Sequence, residues 1–325
     1  MSYDGIIMQR AIARFDQDKQ RRAAELEQRR RAVYARAPRL QEIERTLRTT
    51  MSRIVAVSAR RGEDPLPALR DLRDENLGLQ RERAALLADL GYPADYLSET
   101  PVCSRCGDTG YTRSGVCDCL KKYYAREQLR ELSRLLPLGE ARFETFRFDL
   151  YDSAVWDGYG TSPRANMEHN FDVCRDYANQ FSKGGGSLLL SGGTGLGKTF
   201  LSACIARVVS ESGFSVVYDT AISIFSRFEN AKFRPDDVSD ADVRRCENCD
   251  LLILDDLGTE MTTSFVQSAL YQIVNGRMLS GKSTIISTNL APDVLSARYG
   301  APILSRIEGS YEILPFFGDD IRTRQ

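Results

Sequence analysis

The stretch Ser187-Leu188-Leu189-Leu190-Ser191-Gly192-Gly193-Thr194-Gly195-Leu196-Gly197-Lys198-Thr199 decides the fold class. Its first five residues form a short apolar run that reads as a buried strand. The next eight match G-x-x-x-x-G-K-[ST], and an amphipathic helical segment follows over 200–212. Strand, glycine-rich loop and helix N-terminus in that order make a phosphate cradle. Gly192, Gly193, Gly195 and Gly197 let backbone N–H groups turn inward, with Thr194 and Leu196 between them, and the helix adds its positive dipole end. Lys198 is expected to reach the β- and γ-phosphates of ATP, and the Thr199 hydroxyl to ligate Mg²⁺.

Working outward, Leu251-Leu252-Ile253-Leu254 runs into Asp255-Asp256, 56 residues beyond Thr199. A carboxylate at the end of a neighbouring strand can hold Mg²⁺ or its waters, and a second can polarise the attacking water. Asp255 is assigned to the metal and Asp256 to the water. Strand candidates lie at 187–191, 214–218, 251–255, 284–288 and 312–316, alternating with helical patterns as a parallel α/β sheet requires. Lys183-Gly184-Gly185-Gly186 is the turn into the first. The fourth strand ends in Asn289, whose amide could orient a water near the γ-phosphate or simply form a turn. His169, the single histidine, falls on a helix surface and receives no role.

Upstream, Cys103-x2-Cys106-x10-Cys117-x-Cys119 offers four thiolates within seventeen residues, with glycines between the pairs. Four sulfurs suit a closed, structural tetrahedral Zn²⁺ site in a module too small for its own core. An iron–sulfur cluster is the alternative. Cys246-x2-Cys249 has no second pair nearby and reads as incidental. Cysteines used this way point to a reducing cytoplasm rather than a disulfide framework.

The first 91 residues carry 19 Lys/Arg against 14 Asp/Glu, and 21–61 alone carry 12 Arg against 4 Glu, although the whole chain of 325 residues has a net charge of −1. Such a basic patch fits an acidic partner or a solvated helix face. Leu40, Ile43, Leu47, Met51, Ile54 and Val57 form one apolar stripe. Arg61-Gly62-Glu63-Asp64-Pro65 breaks the chain, and Leu69, Leu72, Asn76, Leu79, Arg83, Leu86 and Leu90 form a heptad seam. Narrow stripes on charged helices predict a coiled-coil hairpin or small bundle, self-contained or docked on a partner. No apolar run reaches membrane-spanning length, and Met1 to Arg14 has no apolar core of a signal peptide.

In these pieces the chain resembles the DnaC/DnaI-type replicative helicase loaders, a branch of the AAA+ ATPases related to DnaA and IstB. The resemblance rests on the P-loop, residues 251–260 (LLILDDLGTE), Ser287-Thr288-Asn289, Ile303-Leu304-Ser305-Arg306-Ile307 and Phe317-Gly318-Asp319-Asp320-Ile321-Arg322, and it extends to the cysteine segment. It implies an AAA+ core with a five-stranded parallel sheet and no C-terminal lid. Asn289 would then be the sensor-1 residue, Arg306 an arginine finger acting on a neighbouring subunit, and Arg322 the sensor-2 residue. Pro302 stands where some loaders have a second arginine, with Arg298 nearby. Residues 220–248 would be the extra helical element that lines a DNA channel, with Phe225, Arg227, Phe228, Lys232, Phe233 and Arg234 on it. Phe233 and Phe265 match DNA-contacting aromatics of similar loaders, and Lys232 would track phosphates beside them. Phe225 and Phe228 are equally suited to the core.

The reading is therefore of three regions: 1–95 helical and partner-binding, 96–125 a zinc module, and 126–325 an AAA+ ATPase domain. The cofactors expected are ATP, Mg²⁺ and Zn²⁺. A cytoplasmic, nucleoid-associated, bacterial or phage-encoded loader would bind a DnaB-type helicase and single-stranded DNA. It would assemble as a homo-oligomer and hydrolyse ATP slowly. The alternatives are an IstB-like transposition helper and a nucleotide-gated adaptor with little hydrolysis.

Overall fold

A computed structural model describes residues 3–59, 64–136, 138, 141–182, 184–234 and 237–324. The break at Arg61-Gly62-Glu63 and the Lys183 end of the glycine turn lie outside these described residues. The chain divides into two compact units, Arg14–Gly115 and Met1–Ala13 with Val116–Gln325.

In the first unit, α1 (Gly5–Arg36), from Arg14 onward, is followed by α2 (Pro38–Ser58) and α3 (Leu66–Asp89). Arg39 pairs with Glu82, Glu44 with Arg83 and Arg53 with Glu75, so α2 and α3 run antiparallel as a hairpin. The α3 seam is half-buried at every position read from the sequence. On α2 the seam departs from that reading: Met51 is 71% exposed, and Thr50 takes its place. Leu40, Ile43, Leu47, Thr50, Ile54 and Val57 alternate steps of three and four, which keeps a stripe on one helix face; Met51 lies one residue off it. Val33, Leu40, Leu87 and Leu97 close the base of the hairpin. A short two-stranded ribbon, β1 (Tyr111–Thr112) and β2 (Gly115–Val116), follows in the chain.

In the second unit, α4 (Asp118–Leu132) and α5 (Pro163–Asn179) precede an alternation of strands and helices. These are β3 (Ser187–Gly192), α6 (Lys198–Glu211), β4 (Val216–Thr220), α7 (Ala221–Phe233), α8 (Asp237–Asn248), β5 (Leu251–Leu257), α9 (Ser264–Leu279), β6 (Ser283–Thr288), α10 (Pro292–Tyr299), α11 (Ala301–Ser310) and β7 (Tyr311–Phe316). The five strands β3 to β7 pair in parallel in the order β4-β5-β6-β3-β7. Leu188, Leu190, Ile253, Ile285 and Leu314 bury on one face with α4, α5 and α6, and Leu189, Leu252, Leu254 and Ile286 on the other with α7, α9 and α11. Burial on both faces explains why these strands read as continuous apolar runs.

Both sheet edges are covered. At β7, the amides of Asn166 and Asn170 on α5 donate to the Pro315 carbonyl, and a proline is tolerated there because the strand is an edge. At β4, the fully buried Gln128 accepts from the Val216 N–H and donates to the Phe214 carbonyl. The start of α1 adds to this cover, with Ile7 and Ala11 buried and Asp4 ion-paired to Arg245. Asp4 also caps the helix, accepting from the N–H groups of Ile6 and Ile7. Arg277 is the largest fully buried side chain. It donates to the carbonyls of Cys246, Cys249 and Ser283, so Cys246 and Cys249 belong to a structural joint between α8 and α9. Among the described residues no helix is long and apolar enough to cross a membrane.

Candidate functional site

The order of the strands shapes the site. β5, which carries the acidic pair, is not adjacent to the P-loop strand β3, since β6 lies between them. The sequence expectation of a directly neighbouring strand is corrected on that point. The P-loop and Asp255-Asp256 still meet because the ends of all three strands converge at one edge of the sheet, where α/β folds place their ligand sites.

The loop itself is held by close backbone approach. A Cβ on Gly192 would lie 1.9 Å from the Phe316 carbonyl oxygen, and one on Gly195 would lie 1.8 Å from an Asp320 carboxylate oxygen. A side chain at Gly192 would push the β7 end off the loop, and one at Gly195 would displace the Asp320 carboxylate. The Tyr151 hydroxyl donates to the Leu196 carbonyl at 3.2 Å, and the Ile321 N–H to the Gly195 carbonyl at 3.0 Å. Leu196 is buried beneath.

Lys198 begins α6 and is 5% exposed. Its ammonium uses all three donors, on the carbonyls of Gly192 and Gly193 and on Asn289 Oδ1 at 2.9 Å. Burial lowers its pKa, while Asp256 and Asp255 push it back up. Asn289, just past β6, is thus brought to the P-loop lysine.

The Thr199 hydroxyl donates to Asp255 Oδ2 at 3.1 Å. A hydroxyl and a carboxylate oxygen so placed form a hard-oxygen donor set that fits Mg²⁺. Asp255 is 2% exposed and also accepts from the Tyr218 hydroxyl at 2.7 Å and from the Ser287 hydroxyl. Asp256 follows at a shift of the β5–β6 register, with φ 54°. This left-handed backbone, sparsely used by residues other than glycine, turns the chain between the two carboxylates. Burial and the adjacent Asp255 raise the Asp256 pKa.

Arg322 lies close enough to act on the Lys198 charge, and its guanidinium is held in a bidentate pair by Asp320. Arg306 is placed elsewhere, on α11. It stacks 4.6 Å over the Tyr271 ring, donates to the Tyr271 hydroxyl and to Asn275 on α9, and touches none of the P-loop residues among these contacts. Arg298 clamps the loop after β5 through Thr262 and the Glu260 carbonyl. Pro302 sits in the first turn of α11, where its missing N–H costs nothing.

A separate cluster forms on α7 and α9. The Lys232 ammonium lies 5.6 Å from the Phe233 ring and 5.4 Å from the Phe265 ring, and the two rings are 5.8 Å apart. Phe233 is 64% exposed, whereas Phe225 and Phe228 are core. Cys103, Cys106, Cys117 and Cys119 supply four thiols, a donor set whose chemistry fits Zn²⁺. Within the first unit, Asp108 accepts from the N–H groups of Val102 and Cys103 and pairs with Arg22, which fixes the turn carrying the first cysteine pair.

Sequence reading missed Tyr218, Ser287 and Asp320. Tyr218 was visible only as a strand residue, Ser287 only as a strand residue in a matching stretch, and Asp320 only as part of another such stretch.

Residues 177–325 match the family of IstB-like ATP binding proteins. The replicative helicase loader DnaC of Escherichia coli (strain K12) is 27% identical over 177 residues, covering 54% of this chain and 71% of that protein. DnaC of Buchnera aphidicola subsp. Baizongia pistaciae (strain Bp) is 27% identical over 152 residues, which span 62% of its length. The loader DnaI of Bacillus subtilis (strain 168) is 29% identical over 136 residues, 42% of each chain. A crystal structure of the DnaC helicase loader is similar at TM-score 0.47 and 20% identity, covering 56% of this chain and 99% of that one. By sequence, then, the chain resembles the DnaC/DnaI-type loaders, and its residues 177–325 resemble the IstB-like ATP binding proteins.

Proposed function

We propose that this chain is an ATP-dependent helicase loader of DNA replication, acting in the cytoplasm on a DnaB-type helicase and single-stranded DNA. What carries the reading is similarity to replicative helicase loaders in a chain whose Lys198, Thr199, Asp255, Asp256 and Asn289 converge on one site. Lys198 would bind the β- and γ-phosphates, with Asn289 orienting both the lysine and the attacking water. Thr199 and Asp255 would hold Mg²⁺, which neutralises phosphate charge when bound, and Asp256 would take up the water's proton. Arg306 would reach the site of a neighbouring copy, and Arg322 would leave Asp320 for the phosphates.

Lys232, Phe233 and Phe265 form the platform for single-stranded DNA: rings for stacking bases and an ammonium for the backbone. Replacing Phe233 and Phe265 together by Ala should weaken binding of a labelled single-stranded oligonucleotide by about tenfold or more, given about 1–3 kcal/mol per stacked base. ATP affinity should stay unchanged. Fluorescence anisotropy reads both, and equal DNA affinity in the double variant removes the platform.

The α2–α3 hairpin and the cysteine module would grip the helicase. One Zn²⁺ per chain is expected, lost from variants carrying Ser at Cys103, Cys106, Cys117 or Cys119, with nucleotide binding retained. Elemental analysis without zinc, or an iron–sulfur absorption band, overturns that assignment.

The function as a whole is tested by co-elution of the purified chain with a hexameric DnaB-type helicase in the presence of ATP. The match to IstB-like proteins over 177–325 supports a second reading, a transposition helper. Capture of a transposase and not of a helicase would favour it. An ATP-bound complex without measurable turnover would instead point to a nucleotide-gated adaptor.

A further inference from the structure

Ser287 lies in the middle of the site, on the strand that separates the P-loop from the acidic pair, and it is completely buried. Its hydroxyl has two partners. The Asp256 N–H lies 3.0 Å away and can only donate, so Ser287 Oγ must accept there. The one hydroxyl proton is then directed to Asp255 Oδ1, the second partner. A single side chain thus bridges the two acidic residues, fixing the carboxylate of the first and the backbone of the second. It does so at the register shift where Asp256 takes its left-handed φ of 54°.

Asp255 Oδ2 receives two further hydroxyl protons, from Tyr218 and from Thr199. These donors differ in what a cation would ask of them. The Thr199 oxygen is itself a candidate ligand, able to offer a lone pair to the metal while its proton stays on Asp255. Tyr218 and Ser287 act on the carboxylate alone. They grip opposite oxygens of it and hold its orientation.

Resting on the ATPase reading above, we propose that Ser287 and Tyr218 are positioning residues that set the Mg²⁺-binding geometry of Asp255, and that Ser287 additionally sets the aim of Asp256. Outer-shell hydrogen bonds to a ligating carboxylate commonly carry 10- to 100-fold in metal affinity or activity. A merely structural serine would contribute to folding alone.

The test compares wild type, Ser287→Ala and Tyr218→Phe in the full chain. Binding of a fluorescent ATP analogue is titrated with Mg²⁺ and repeated in EDTA, with thermal unfolding and ATP turnover measured in parallel. Both variants should require about 10-fold to 100-fold more Mg²⁺ to reach half of the Mg²⁺-dependent gain in affinity. Their affinities in EDTA should match wild type. At saturating Mg²⁺, Ser287→Ala should keep a lower kcat with unchanged KM, because Asp256 has lost its anchor, while Tyr218→Phe recovers most of its turnover. Mg²⁺ titrations identical to wild type in folded variants overturn the proposal. Should Ser287→Ala fail to fold, Tyr218→Phe, which removes one oxygen, decides the metal half in the same way. If wild type binds no nucleotide under either condition, the ATPase reading itself falls and this inference falls with it; if wild type binds Mg²⁺-dependently and the variants do likewise, only this inference falls.

Discussion

Lys198→Ala is expected to abolish tight ATP binding while leaving the fold intact. The P-loop offers backbone dipoles to the phosphates, but Lys198 is the fixed charge within it, buried and already aimed by the carbonyls of Gly192 and Gly193 and by Asn289. Two charge-assisted contacts to phosphate at about 1.5–3 kcal/mol each would cost at least about 100-fold in affinity when lost. The sheet should survive, because β3 is held between β6 and β7 by its ladder and by Leu188, Leu189 and Leu190, none of which touches the ammonium. A titration with labelled ATP checks the first half and thermal unfolding the second. Affinity within a few-fold of wild type would mean that nucleotide does not sit on this loop.

Arg306→Ala should lower turnover by about 10³-fold or more if the residue behaves as an arginine finger, with ATP affinity nearly unchanged. The competing role is visible in the same structure: Arg306 clamps α11 to α9 through Tyr271 and Asn275. The two roles separate cleanly. A clamp predicts a loss of stability of about 1 kcal/mol and turnover near wild type. A finger predicts the reverse, and also that turnover per chain rises with protein concentration and with single-stranded DNA. Mixing Arg306→Ala with Lys198→Ala should restore part of the activity, since one brings an intact loop and the other an intact finger. Wild-type turnover in Arg306→Ala, without complementation, removes the residue from the site.

Much of this architecture was legible in the sequence. The five strands announce themselves as apolar runs because both faces of the sheet are covered, and the P-loop is a contiguous motif whose geometry is local. The strand order was not legible. It depends on which crossovers span which neighbours, and nothing in residues 251–257 says that β6 intervenes before β3. For the same reason Tyr218 passed as an ordinary strand residue, and Ser287 was noted only as part of a matching stretch, with no role; their importance lies in partners 31 to 37 residues away in the chain. Arg277 was equally silent, since an arginine that satisfies the carbonyls at the end of another helix resembles a surface arginine in sequence. Met51 was misplaced by one position because an apolar residue beside a threonine is the more obvious choice for a seam. The geometry of the hairpin decides otherwise.

The first turns of α1 extend the compact unit that holds the P-loop. Asp4, Ile7 and Ala11 belong to the unit that holds the P-loop, although more than a hundred residues separate them from the rest of it. That unit is discontinuous, and residues 14–115 are, in chain order, an insertion within it. A fragment beginning near residue 126 would keep Gln128 on the β4 edge but would leave Arg245 without Asp4 and strip the cover supplied by Ile7. Exposed edges and half-desolvated charges favour self-association. Clumping of such a fragment would report a missing piece of the domain and say nothing about the oligomer the intact chain forms.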